Sequence, residues 1–193
     1  MAKNTLEYSQ NLYKRVIDWY KNADSKAQII LTLNGVFIAF LTSSIFKSPD
    51  EVSRIIFKFG GLTWLCLALM AVCLAGSVIS ALLCLWSRIE FSAGRDEMII
   101  KEIEKLEETG EYSPTLMLFF KTIQMLDAEK FQTQLTKIDE EFEIKALGSQ
   151  IYLLSKRVYA KHLMVNYGFA LVGGALIFFL LGGIGYLLNI RLN

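Results

Sequence analysis

The chain has 193 residues, 53% of them hydrophobic, and its formal net charge is only +1. So small a charge excludes a nucleic-acid binder, because such proteins need a basic surface to neutralise phosphates. Three uncharged stretches, residues 27–46, 59–87 and 163–190, are each long enough to cross a bilayer as a helix. We therefore predict an all-α integral membrane protein with three transmembrane helices and a helical cytoplasmic domain between the second and the third.

Residues 1–26 are predicted to form an amphipathic cytoplasmic helix. Leu6, Tyr13, Ile17 and Tyr20 recur at helical spacing, and charged residues fall between them. Charges this dense before the first apolar run are not typical of a cleaved export signal, so the first span should remain in the mature chain.

The first span, residues 27–46, carries polar and small residues along one face of an otherwise apolar helix. This stripe comprises Asp24, Gln28, Thr32, Gly35, Ala39 and Thr42. Asn34 lies near mid-span on another side, where a polar group tends to find a partner on a neighbouring helix. Two interpretations stay open: these groups hold helices together, or they line a path or gate. Asp24 and Lys26 stand at the cytoplasmic mouth of this span, where they could hold a resting state.

Residues 47–58 are predicted to form an external connector, because Pro49 disfavours helix in the residue before it. The second span, residues 59–87, contains all three cysteines on one helix face, where they act as small packing residues rather than a disulfide or metal site. The third span, residues 163–190, places Gly168 and Gly182 among further small residues that let helix backbones approach closely. This pattern favours a tight bundle, including contacts between subunits of a homo-oligomer.

The central block, residues 88–162, is predicted to be a helical cytoplasmic sensing domain. We expect helices at about Arg95–Glu108 and Thr115–Leu126 and a third that is capped by Asp127. The third helix should carry Phe131, Leu135, Ile138 and Phe142 at intervals of 4, 3 and 4. From Gly148 the chain should continue as helix into the third span, followed by the tail of residues 191–193.

Basic residues predict both the orientation and a candidate anion site. Lys and Arg are more numerous in residues 1–26 and 88–162 than in the connector and tail, which places the N-terminus in the cytoplasm. Near the mouth of the third span, Lys156, Arg157, Lys161 and His162 cluster beside Tyr152 and Tyr159. Such a cluster can meet anionic lipid headgroups or form a nucleotide pocket, and the residues alone leave both readings open.

No catalytic motif is recognisable in the sequence. It contains no Walker loop, no His-Glu-x-x-His and no Gly-x-Gly-x-x-Gly, and its acidic run at residues 139–143 is typical of a solvated helix face. We therefore expect neither an enzyme nor a bound metal or cofactor.

Three segments resemble the transmembrane effectors of the bacterial pyrimidine cyclase antiphage system, Pycsar. The first is residues 22–35, in which Ala23-Asp-Ser-Lys-Ala27 leads into the first span. The second combines Leu118-Phe-Phe120 with Asp127-Ala-Glu-Lys-Phe131, and the third is residues 149–155 with Lys161. The likeness covers nearly the whole chain in order.

The resemblance implies an antiphage effector in the bacterial inner membrane. A partner cyclase would make cyclic UMP or cyclic CMP, and the effector would bind it and impair the membrane, causing abortive infection. Such a ligand brings one negative charge and a flat base, so it needs cations and aromatic faces. We expect Lys156, Lys161, Tyr159 and Arg95 to contact it. The alternatives are a constitutive membrane scaffold, a two-span defence effector that answers another nucleotide signal, or a housekeeping channel.

Overall fold

The computed structural model describes residues 2–47, 49–57, 59–86, 123–124 and 126–192, and all regular structure in these ranges is helical. Within the described ranges the helices with defined bounds are, in chain order, α1 Ala2–Lys47, α2 Pro49–Ile56, α3 Gly61–Leu85, α4 Ala128–Leu135 and α5 Glu140–Leu192. The helix expected at Arg95–Glu108 and residues 115–122 of the next one lie outside the described residues, as does Arg95.

Helices α1, α3 and α5 are long and apolar enough to cross a membrane. Helices α1 and α5 contain the uncharged stretches 27–46 and 163–190, and α3 lies within the stretch 59–87. The prediction of an all-α chain with three potential transmembrane helices is confirmed.

The chain divides into two compact units. One comprises residues 1–20 and 87–158, and the other residues 21–86 and 159–193. Within the first, Gln10 Nε2 donates a hydrogen bond of 2.7 Å to Glu143 Oε1, which joins α1 to α5. Val16 is buried in this unit, as are Ala146 and Val158. The N-terminal segment is therefore packed along one side rather than fully solvated.

The region around α4 and the start of α5 corrects one sequence prediction. Asp127 does cap α4, since its Oδ1 accepts a 3.0 Å bond from the backbone N–H of Glu129. However, α4 ends at Leu135, and α5 begins anew at Glu140. The prediction of a single helix from Phe131 to Phe142 is therefore wrong. The reason is Asp139, whose Oδ1 accepts a 2.8 Å hydrogen bond from the Phe142 N–H and so caps the N-terminus of α5.

The second unit is a bundle made from α3 and the C-terminal parts of α1 and α5. Its α1 seam buries Ala23, Ala27 and Ile30, and then Asn34, at intervals of 4, 3 and 4. One core cluster joins these alanines to Ala81, Cys84 and Val165. A second cluster consists of Met70, Leu74 and Ala175. Small side chains at the contacts let the three helices pack closely.

Aromatic residues mark both ends of α3. Trp64 and Trp86 are 51% and 70% exposed, and the rise along α3 from one to the other is about 33 Å. Phe59 adds edge-to-face contacts with Trp64 and Tyr186, at ring distances of 5.8 and 5.5 Å. Tryptophan and tyrosine favour the membrane–water interface, and the span matches the thickness of a hydrocarbon core.

Candidate functional site

An ion pair joins α1 to α5 at one end of the bundle. Lys161 Nζ donates to Asp24 Oδ1, and the side chains are only 12% and 29% exposed. Helix α1 places Asp24 one residue beyond the buried Ala23, so its carboxylate stands at the edge of the apolar seam. Because both groups are partly removed from water, each charge is stabilised by the other.

Cysteine and serine side chains of α3 support this end of the bundle. Cys84 Sγ lies 3.8 Å from the carbonyl oxygen of Ala23, the residue that precedes Asp24. One turn deeper, the Ser80 hydroxyl donates a 2.6 Å bond to the Met164 carbonyl of α5. The two contacts hold α3 against both of the helices that carry the charged pair.

Asn34 forms a polar node about 15 Å along α1 from Asp24, near the middle of the span. Its Nδ2 donates to the Ile30 carbonyl at 2.8 Å and to Ser77 Oγ at 2.9 Å. Ser77 Oγ in turn donates to the Gly168 carbonyl at 3.1 Å. One chain of hydrogen bonds thus crosses all three helices. Asn34 Oδ1 is buried and accepts no bond within the described residues, so the node is incompletely satisfied.

Gly168 and Gly182 lie where helices of the same chain meet. A Cβ on Gly168 would stand 2.8 Å from Ile30 Cδ1, and one on Gly182 would stand 3.4 Å from Cys66 Cβ. The absence of a side chain at Gly168 lets α1 and α5 approach at the level of the Asn34 node. This contact is internal to the chain, whereas the small-residue pattern had suggested contacts between subunits as well.

The polar and small stripe of α1 is not part of this internal seam. Gln28, Thr32, Gly35 and Ala39 are exposed on the bundle surface, and nothing lies within 4 Å of a Cβ built on Gly35. Thr32 satisfies its hydroxyl internally, by donating to the Gln28 carbonyl at 3.0 Å. Apart from Asp24, which pairs with Lys161, the stripe therefore faces away from α3 and α5.

The other predicted ligand residues, and Lys26 of the first span, are not part of the ion pair between Asp24 and Lys161. Lys156 is exposed, and its Nζ lies 4.3 Å from the ring centroid of Tyr152, as in a cation–π contact. Tyr159 is 72% exposed, and Lys26 is half-buried. Among the candidates that the structure describes, Lys156, Tyr159 and Lys161, it is Lys161 that pairs with an acidic group.

A pocket of about 350 Å³ lies beside Asn34, between the three helices. Its walls are almost entirely apolar; they comprise Leu33, Val36, Phe37, Phe40, Leu74, Val172 and Leu176. No charged group lines it, so a cyclic nucleotide would find no counter-ion for its phosphate there. In the part of the chain that the structure describes, no cluster of three or more His, Cys, Asp or Glu could hold a metal ion.

Sequence reasoning singled out Asp24, Lys161 and Asn34, but it missed Ser77, the partner of Asn34, and Ser80. Ser77 and Ser80 were visible only as small residues on one side of α3, and both donate to backbone carbonyls of α5. A hydroxyl inside an apolar span is the signal that could have suggested this, because it must find an acceptor away from water.

Comparison with known proteins identifies the family of the chain. The family model PycTM, described as the Pycsar effector protein domain, matches residues 8–188. No curated protein and no solved structure matches the chain. The match includes all of α2, α3 and α4, most of α1 and α5, and both the ion pair and the Asn34 node.

Proposed function

The chain belongs to the Pycsar effector family, and from this membership we propose that it binds cyclic UMP or cyclic CMP and then impairs the bacterial inner membrane. Membership makes it a membrane effector of antiphage defence that responds to a signal, rather than a cyclase. In the proposal, a partner cyclase supplies the nucleotide after infection, and loss of membrane integrity stops growth. The N-terminus lies in the cytoplasm, where the nucleotide is made.

The observation that carries the proposal is the ion pair between Asp24 and Lys161. A cyclic mononucleotide has one negative charge on its phosphate, and an ammonium group can pair with phosphate as well as with carboxylate. Nucleotide binding at Lys161 therefore competes with Asp24. When the phosphate pairs with the Lys161 ammonium group, the ion pair that joins α1 to α5 at this end of the bundle is lost.

The competition gives the ligand the differential affinity that any switch requires. A ligand shifts an equilibrium only as far as it binds one arrangement more tightly than the other. Here the arrangement with a broken ion pair is the one that offers Lys161 to the phosphate. Lys156, Tyr159 and Arg95 remain predicted contributors, which would supply further charge and an aromatic face for the base.

Membrane impairment requires more than one copy, because three helices alone enclose no pore. The exposed stripe of α1 supports self-association, since Gln28, Thr32, Gly35, Ala39 and Thr42 recur at intervals of 4, 3, 4 and 3. That period is typical of a helix–helix seam, and Gly35 with Ala39 forms a small-xxx-small pair. Large apolar residues occupy the neighbouring exposed positions, among them Ile29, Leu33 and Val36.

Binding of the nucleotide can be tested with the detergent-solubilised full chain and a panel of cyclic mononucleotides. We expect cyclic UMP or cyclic CMP to bind and purine counterparts to bind more weakly. Asp24→Asn should tighten binding, since it removes the competing carboxylate, whereas Lys161→Gln should weaken it. Lys145→Gln is the matched control, because Lys145 pairs with Glu141 at 2.7 Å on an exposed surface. Equal affinities in Asp24→Asn and wild type would refute the competition.

Self-association can be tested by single-molecule photobleaching in nanodiscs. Gly35→Ile places a large side chain on the stripe, and Gly173→Ile places one where a Cβ also meets nothing within 4 Å. We expect the Gly35 variant to lower the subunit count and to abolish dye entry in cells, while the Gly173 variant retains both. A normal subunit count in Gly35→Ile would exclude this face as the interface.

A further inference from the structure

Helix α2 presents an apolar face that the rest of the described chain covers only in part. Val52, Ile55 and Ile56 share one side of this eight-residue helix, while Ser53 and Arg54 lie on the other. Ile55 and Ile56 are 43% and 36% exposed, and Phe57, which follows the helix, is 87% exposed. Three large apolar side chains in succession are thus open at the surface.

The neighbours of α2 fix its depth. It begins two residues after α1 ends and finishes five residues before α3 begins, so both connections are short. The second connection contains Phe59, which belongs to the aromatic group with Trp64 and Tyr186. Aromatic groups of this kind favour the membrane–water interface. Helix α2 therefore lies at the end of the bundle opposite the pair of Asp24 and Lys161.

We propose that α2 lies flat in the headgroup region of this leaflet, with Ile55 and Ile56 in contact with acyl chains. A short helix with one apolar and one charged face is the form that interfacial anchors take. Lipid is favoured over a protein partner because both ends of α2 are joined to potential spans by only a few residues, which keeps it at the bilayer surface. The proposal concerns lipid contact outside the spans, and it does not depend on nucleotide binding.

The first test measures which face of α2 water reaches. Ser53→Cys and Ile55→Cys are made in the full chain, reconstituted in nanodiscs, and reacted with a water-soluble maleimide. Nanodiscs expose both leaflets, so the result is independent of orientation. Wild type gives the background from Cys66, Cys73 and Cys84, which lie within α3. We expect Ile55→Cys to react about tenfold more slowly than Ser53→Cys, since burial of most of an aliphatic side chain corresponds to roughly that factor.

The second test determines whether lipid or protein covers the apolar face of α2. Ile55→Trp and Ser53→Trp add one fluorophore to the three native tryptophans, and the nanodiscs contain lipid brominated near the upper acyl chain. We expect the added emission of Ile55→Trp to be quenched and that of Ser53→Trp to be largely retained. Equal maleimide rates at the two positions, or slow labelling of Ile55→Cys without bromine quenching of Ile55→Trp, would overturn the proposal.

Discussion

Replacement of Asp24 by asparagine tests whether the ion pair holds the resting bundle. The change keeps the shape of the side chain but leaves the Lys161 ammonium, 12% exposed, without its carboxylate. Loss of one partner costs about 3 to 5 kcal/mol for a fully buried pair and about 0 to 1 kcal/mol for an exposed one. At 12% and 29% exposure the pair falls between these limits, and about 2 kcal/mol is a reasonable magnitude.

A difference of about 2 kcal/mol corresponds to roughly a 30-fold shift in an equilibrium. If the pair stabilises the resting arrangement, Asp24→Asn moves the bundle toward the active one by that factor before any nucleotide is present. We expect membrane-potential dye to enter cells that express Asp24→Asn at inducer levels at which wild type is harmless. Immunoblots should show equal amounts of both proteins in the membrane.

The control is Glu141→Gln, which removes the exposed pair with Lys145 and should leave the dye signal unchanged. The double variant Asp24→Asn with Lys161→Gln extends the test, because two residues of one pair give non-additive effects. If dye entry in Asp24→Asn matches wild type at every inducer level, or if the two single effects add in the double variant, the reasoning is refuted.

The other predictions concern packing and capping. Gly168→Val should destabilise the bundle by about 1 to 3 kcal/mol in detergent unfolding, because its side chain would overlap Ile30, while Gly173→Val, in open space, should change little. Asn34→Ala should cost about 0.6 to 2 kcal/mol, and Ser77→Ala in that background should add less than it does alone; additive losses would argue against a shared node. Asp139→Ala should cost about 1 kcal/mol by loss of the α5 cap, seen as faster hydrogen exchange at residues 141–143; unchanged exchange would contradict the cap.

The sequence was sufficient for features that depend on local composition and period. Uncharged stretches of 20 residues or more specify helices in lipid, because backbone N–H and C=O groups without hydrogen-bond partners carry a large free-energy penalty in the hydrocarbon core. Asp127 was readable as a cap for the same local reason. Asp139 was missed, because an apolar pattern at intervals of 4, 3 and 4 continued across it and favoured one unbroken helix.

What the sequence by itself determined, then, is a helical membrane protein of three potential spans with a recognisable family likeness. Only the tertiary structure decided which polar groups meet: Asp24 with Lys161, and Asn34 with Ser77, the latter pair 43 residues apart in the chain. It also decided that the glycine face of α5 packs inward while the stripe of α1 stays exposed. Helical periodicity assigns residues to faces of a helix. Whether a face contacts a neighbouring helix or lipid depends on the rotation of each of the three helices about its axis, and that rotation is set by the sum of many small packing contacts.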